Sequence, residues 1–186
     1  LRCKEVFDIQ IHGLIQRLKA AHIKKVVIGI SGGLDSTLAL LVATMAYQKL
    51  GYPLTDIIAV TMPCFGTTSR TKNNALMMME ECGVTSMTVD IGEAVTQHFK
   101  DIGQDPNTHD VTYENCQARE RTQVLMDIAN KVGGIVIGTG GTGIVGDDQH
   151  ETTADAHVVQ AHQRVAGHAS ISLTPSMPSR RQTARS

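Results

Sequence analysis

Tryptophan is absent from this sequence of 186 residues, and only three tyrosines and three phenylalanines stand in its place. No aromatic ring of these types follows Tyr113. The four cysteines, Cys3, Cys64, Cys82 and Cys116, lie far apart with no CxxC pair, which argues against a disulfide scaffold, a zinc knuckle or a dithiol redox centre. A reducing, cytoplasmic setting is expected, with these thiols serving core packing. No apolar run approaches the roughly 18 residues of a membrane span, and no signal peptide opens the chain. Charge of one sign is lacking too: the formal net charge is -1, so no overall field draws the chain to nucleic acid or an anionic membrane. With 41% hydrophobic and 19% charged residues, what remains is a globular composition able to bury a core.

Short apolar runs alternate with helical patterns up to about Gly140. Phe7, Ile11, Leu14, Ile15 and Leu18 recur at helix spacing, and residues 25–30 read as a buried strand. Leu34, Leu38, Leu41, Val42 and Met45 are expected along one face of the next helix, which ends near Gly51. A strand at 57–61 follows, then a helix capped by Ser69 that carries Ala75, Leu76 and Met79 and stops near Gly83. Met77, Met78 and Met79 read as helix packing. Residues 85–89 are a third strand. Thr112 opens a helix with Ala118, Thr122, Leu125, Met126 and Ala129 on one face, Gly133 and Gly134 end it, and 135–137 is a fourth strand. Strands flanked by helices imply crossovers, hence an α/β fold with a parallel sheet and helices on both faces.

Past Gly140 the texture changes to Gly, Ala, Thr, Ser, Gln and His, and the domain reading is 1–140 for the folded part and 141–186 for a divergent tail expected to be disordered. Two features there are weak. Gly138-x-Gly140-x-x-Gly143 fits a dinucleotide fingerprint, but no amphipathic helix or well-placed acidic residue follows. His150, His157, His162 and His168 lack the tight spacing of a helical metal pair. Leu1 enters directly on a helical pattern, as expected of a fragment with its upstream part missing or, equally, of a processed or trimmed chain.

The string Gly29-Ile30-Ser31-Gly32-Gly33-Leu34-Asp35-Ser36 sits between a strand and an amphipathic helix. Glycines there let the backbone approach a ligand, and successive N–H groups at a helix N-terminus suit phosphate. Ser31 and Ser36 add hydroxyls. Asp35 would repel a bare phosphate, which argues for a bridging Mg2+ that takes carboxylate and phosphate oxygens together. The alternative is a glycine turn with Asp35 or Ser36 as helix cap. A Walker A loop is excluded, because GxxxxGK[ST] has no match.

This string resembles the SGGxDS loop of the N-type ATP pyrophosphatases. That resemblance implies an adenine nucleotide alpha hydrolase-like fold and cleavage of ATP between its α and β phosphates. Residues 23–28, Thr61-Met62-Pro63-Cys64-Phe65-Gly66-Thr67-Thr68-Ser69, Thr112-Tyr113-Glu114-Asn115-Cys116-Gln117-Ala118-Arg119 and Ile137-Gly138-Thr139-Gly140 are similar to the synthetase domain of glutamine-dependent NAD+ synthetases, continuously to about residue 140. The resemblance implies an ATP- and Mg2+-dependent ligase of NAD biosynthesis that amidates deamido-NAD+ through an adenylated intermediate. Ammonia would come from a glutaminase domain in the intact enzyme, and a homo-oligomer is implied. By the same resemblance Gly29–Ser36 and Thr139 bind ATP, Asp35 holds the metal, and Asn115 and Arg119 hold deamido-NAD+. From the bare residues, Arg119 and Arg121 equally fit an exposed helix face. Thr67, Thr68, Ser69 and Arg70 fit either a lid over the ligand or a simple helix cap.

The family's aspartate-leucine-serine-glutamate segment, whose glutamate is a metal ligand, is replaced here by Gly141-Thr142-Gly143-Ile144-Val145-Gly146-Asp147. A disrupted reading frame, or a gene fragment joined to unrelated coding sequence, fits that change. The alternatives are another ATP pyrophosphatase, such as a tRNA-thiolating enzyme, which would need a nucleic-acid surface or catalytic cysteines, or an inactive nucleotide-binding fragment.

Overall fold

A computed structural model describes residues 2–138 apart from Thr68 and the side chain of Ser69. The expectations for Thr68, Thr139, Gly140 and the 141–186 tail lie outside the described residues.

Within them the order is α1 (Arg2–Ala21), β1 (Val26–Gly29), α2 (Leu34–Leu50), a 3-10 turn (Leu54–Asp56), β2 (Ile57–Thr61), α3 (Ser69–Glu81), β3 (Thr85–Thr88), α4 (Gly92–Ile102), α5 (Val111–Val132) and β4 (Ile135–Ile137). The strands form one sheet in the order β3-β2-β1-β4, with every pairing parallel. In the centre, Val26 lies beside Ile57 on one side and Ile135 on the other.

The period-2 alternation of the strands divides the core in two. Val26, Ile28, Ile57, Ala59 and Ile137 pack with α1, α2 and α3. Val27, Ile58, Val60 and Val136 point the other way, into a second cluster with α4 and α5. Helices therefore cover both faces of a parallel sheet, as the alternating sequence pattern requires. Among the described residues no helix is long and apolar enough to cross a membrane.

The chain runs outward from β1 to β3 along the first face, then returns through α4 and α5 on the second face to place β4 on the far side of β1. The connections on either side of β1 thus lie on opposite faces of the sheet, and the loop after β1 opens at the switch point, where ligands bind in such sheets.

Three helix expectations are corrected. On α2, Val42 is buried, but Leu34, Leu38, Leu41 and Met45 are exposed, Leu34 by 87%. The buried face is instead built on Leu40, Ala43, Ala46 and Tyr47. This helix is apolar almost all round, so its periodicity selects no face; its alanines decide, because they let α1 and β1 approach closely. On α5, Ala129 is buried and Leu125 and Met126 are half-buried, whereas Ala118 and Thr122 are exposed; the buried positions near its start are Tyr113, Cys116 and Gln117. Finally, the periodicity reading assigns nothing to residues 92–102, which form α4 with Val95 and Phe99 on its buried face. The signal was there to read: Ile91, Val95 and Phe99 recur every four residues between polar neighbours, and all three are buried.

The core expectations for α1 and α3 hold, and that for the cysteines holds in part. Ile11, Leu14, Ile15 and Leu18 are the buried residues of α1. Ala75 and Met79 are fully buried on α3, Met78 packs beside them and Met77 is exposed. All four cysteines are free; Cys116 is buried, while Cys3 is exposed and takes no part in packing.

Tyr47 joins α2 to the connection between α1 and β1. Its ring is fully buried and its hydroxyl donates to the Lys24 carbonyl at 2.6 Å. Burial, reinforced by Asp56 and Tyr52, raises the phenol above its ordinary value of 10.0. A group whose folded value is raised stabilises the fold below its unfolded value and loses that contribution as pH rises above it. Tyr47→Phe is expected to cost about 1 kcal/mol at neutral pH through the lost hydrogen bond. The difference between the two proteins should shrink above about pH 10, as urea melts at neutral and alkaline pH would show.

Candidate nucleotide site

The site begins where the sheet stops. Ile30 still donates its N–H to the Val60 carbonyl at 2.7 Å, and the next residues leave the sheet. Gly32 takes φ +83, a left-handed conformation that side-chain-bearing residues adopt at a cost. Gly33 is the N-cap of α2 and supplies no side-chain cap. The first turn of α2 thus presents N–H groups without a capping side chain, a partial positive charge suited to an anion.

Hydroxyls brace this loop from within. Ser36 is 2% exposed and donates to the Gly33 carbonyl at 3.0 Å. Thr37 Oγ1 donates to the same carbonyl at 2.8 Å. Ser31 Oγ lies 3.2 Å from Ser36 Oγ and accepts from the Gly33 N–H at 3.3 Å. Ser36 is therefore a strut, whereas exposed Ser31 faces the cavity beyond. Both Asp35 and Ser36 lie inside the helix, so neither is its cap.

A cavity of about 510 Å³ opens beside the loop. Its floor is Gly29, Ile30 and Ser31; Thr61, Met62 and Pro63 continue it along the end of β2. One wall is the turn at Phe65, Gly66 and Thr67 with Thr71 and Lys72 of α3. This turn is closed by the Cys64 N–H donating to Thr67 Oγ1 at 3.1 Å. The opposite wall is α5, through Glu114, Gln117, Ala118, Arg121, Thr122 and Leu125. Those positions recur every three or four residues, one stripe of a helix.

The aromatic residues stiffen the mouth. Phe65 stacks on Phe99 with centroids 6.2 Å apart, Phe99 on Tyr113 at 5.4 Å, and His109 on Tyr113 at 4.3 Å. Burial pushes the Cys64 thiol up, and the Arg121 guanidinium works against that shift.

Of the residues singled out from sequence, the loop Gly29–Ser36 forms one strand-to-helix turn, with Gly29, Ile30 and Ser31 in the cavity wall and Leu34 and Asp35 exposed to solvent. Asn115 is half-buried and Arg119 exposed; both lie on α5 one position round from the cavity-lining stripe. Sequence reasoning missed Lys72, Gln117 and Arg121 as cavity residues. The signal was the spacing 114, 117, 121, which adjoins Ala118, Thr122 and Leu125 of the expected core face. Thr67 lines the cavity, while Arg70 is not in the lining.

The donor set fits both groups implied by the sequence. An uncapped helix N-terminus, a serine hydroxyl and two cations suit a polyphosphate. Asp35 offers hard carboxylate oxygens one residue from Ser36, the donor type Mg2+ takes, with phosphate and water completing its shell. Among the described residues no group of three His, Cys, Asp or Glu forms a metal cage of its own.

Comparison with known proteins adds an independent line. The profile of the NAD synthase family matches residues 7–144. A glutamine-dependent NAD(+) synthetase of Mycobacterium tuberculosis (strain H37Rv) is 49% identical over 142 residues, which is 74% of this chain and 21% of that protein. An NH(3)-dependent NAD(+) synthetase of Fusobacterium nucleatum is 30% identical over 139 residues, covering 75% of this chain and 51% of that protein. Among solved structures, a glutamine-dependent NAD+ synthetase from Acinetobacter baumannii in complex with ADP superposes with a TM-score of 0.67 at 28% identity, over 74% of this chain and 25% of that one. The chain spans about a fifth of the length of the glutamine-dependent relatives it matches.

Proposed function

The chain belongs to the NAD synthase family, and on that premise we propose that it is part of a ligase that amidates deamido-NAD+ to NAD+ at the expense of ATP. The observation that carries this reading is the uncapped N-terminus of α2, opening with Ser31 onto a cavity at the sheet's switch point. Carboxylates do not react with ammonia at neutral pH, because their leaving group is an oxide. Transfer of AMP to the carboxylate, with release of pyrophosphate, creates a leaving group that ammonia can displace.

In this reading the loop Gly29–Ser36 receives the phosphates, with Ser31 as a direct donor and Ser36 holding the loop in shape. Thr139, at the end of β4, is assigned to ATP. Asn115 and Arg119 are assigned to deamido-NAD+; a guanidinium offers fixed, permanently charged donors to carboxylate or phosphate. Asp35 would hold Mg2+, which when bound offsets phosphate charge. The ammonia source in the intact enzyme is a glutaminase domain, and a cytoplasmic homo-oligomer fits the resemblance to the family.

The resemblance implies a glutamate-bearing segment after Gly140 where this sequence reads Gly141-Thr142-Gly143-Ile144, which favours a second reading, a fragment that binds the nucleotide without turning it over. Pyrophosphate release from ATP, measured with deamido-NAD+, Mg2+ and ammonium, separates the two. A working synthetase releases pyrophosphate only with deamido-NAD+ present, and Asp35→Ala should slow it by about 100-fold or more. ATP binding by a folded chain without any release would leave the binding fragment as the answer.

A further inference from the structure

Lys72 and Arg121 line the cavity on opposite sides of the phosphate loop. Lys72 comes from the first turn of α3, on the sheet face covered by α1 and α2; Arg121 comes from the middle of α5, on the other face. Each is half-buried. Among the described residues neither has a carboxylate at ion-pair distance; the ion pair there is Lys49 with Asp8, far along α2. Glu114 is the acidic residue of the lining, but it is exposed and sits two turns before Arg121 on α5, about 10 Å along the helix axis.

Partly desolvated charges that lack a counter-charge raise the energy of the fold, and two of like sign across one cavity repel each other. A polyanion between them removes both penalties. Arg121 is half-buried in the cavity wall, near enough to the Cys64 thiol at the foot of the Phe65 turn to act on it electrostatically.

We propose that Lys72 and Arg121 form a two-sided clamp on the terminal diphosphate of ATP, neutralising it as the pyrophosphate leaving group. The inference rests on the ATP reading of the loop and goes beyond it by naming the groups that take the departing charge. In the step concerned, a carboxylate oxygen of the substrate bonds to the α-phosphorus. The bond from that phosphorus to the bridging oxygen of the β-phosphate breaks, and its electron pair leaves on pyrophosphate. Negative charge therefore builds on the diphosphate, where an ammonium from one sheet face and a forked guanidinium from the other can donate to it.

The test is equilibrium binding of ATP, inorganic pyrophosphate and AMP to the full chain and to Arg121→Ala, Arg121→Lys and Lys72→Ala. Loss of one charged donor should weaken ATP and pyrophosphate by about 10- to 100-fold and leave AMP within about twofold, because AMP lacks the clamped groups. Arg121→Lys should recover part of the loss. A merely structural role would weaken all three ligands together, or lower thermal stability without changing their ratio, and would overturn the clamp. ATP binding equal in all four proteins would overturn it too, while leaving the loop reading intact. Failure of the unaltered chain to bind ATP or pyrophosphate would reject the loop reading and the clamp together. Should Arg121→Ala fold poorly, Arg121→Gln and Lys72→Gln give the same comparison with less loss of packing.

Discussion

Gly32→Ala is expected to weaken ATP binding by at least about tenfold while lowering the melting temperature by several degrees. Its backbone stands at φ +83, and a methyl group there would meet the Thr71 carbonyl oxygen at 2.8 Å and Thr71 Cγ2 at 3.1 Å. The left-handed conformation alone costs about 1–2 kcal/mol in a residue with a side chain. For a domain of this size, 1 kcal/mol corresponds to roughly 4 °C. The clash adds to this because its partner is backbone at the start of α3, which cannot rotate away. Relief requires the loop to move off α3, which spoils the alignment of N–H groups at the head of α2. Gly13→Ala is the control, since it lies in α1 away from the loop and an added methyl group there meets open space; calorimetric titration with ATP should show no change. Equal ATP affinity in Gly32→Ala and the unaltered chain would mean that phosphate is not seated on this loop.

Phe99→Ala should be the most damaging single change to stability, at about 3–5 kcal/mol. Its ring is 1% exposed and stacks between Phe65 and Tyr113, so its removal leaves a cavity lined by rings that cannot easily collapse into it. The whole stability of such a domain is about 5–15 kcal/mol, and the variant should sit near the edge of unfolding at room temperature. Phe65→Ala, which removes a ring already 40% exposed, should cost about 1 kcal/mol or less. Urea denaturation of the two variants tests this ordering. A loss under about 1 kcal/mol for Phe99→Ala would show that α4 is not locked to the sheet through this ring.

The contrast between α2 and α5 shows how far sequence pattern reaches. Both helices were legible as helices, but the buried face of α2 was misplaced and that of α5 was right only toward its C-terminal end. On α2 almost every side is apolar, so burial followed the small residues Ala43 and Ala46 where α1 and β1 come closest. On α5 the row read as core is split: Ala129 packs inside, while Ala118, Thr122 and Leu125 line the cavity. A cavity wall and a core wall share the same helical period, and only the neighbouring elements distinguish them. For the same reason Arg121 read as one of several charges on a solvated face until the fold set it opposite Lys72.

By itself the sequence determined the four strands and every helix but α4, the parallel α/β class and the glycine turn between β1 and α2, because these depend on local backbone chemistry: β-branched runs, helical periods, and glycines between a strand and a helix. Tertiary structure alone decided which helix faces are buried, that Ser36 braces the loop while Ser31 faces the cavity, and that Lys72 and Arg121 from the two sheet faces line one cavity. Those outcomes depend on contacts between residues far apart in the chain, and a chain position carries no record of what packs against it.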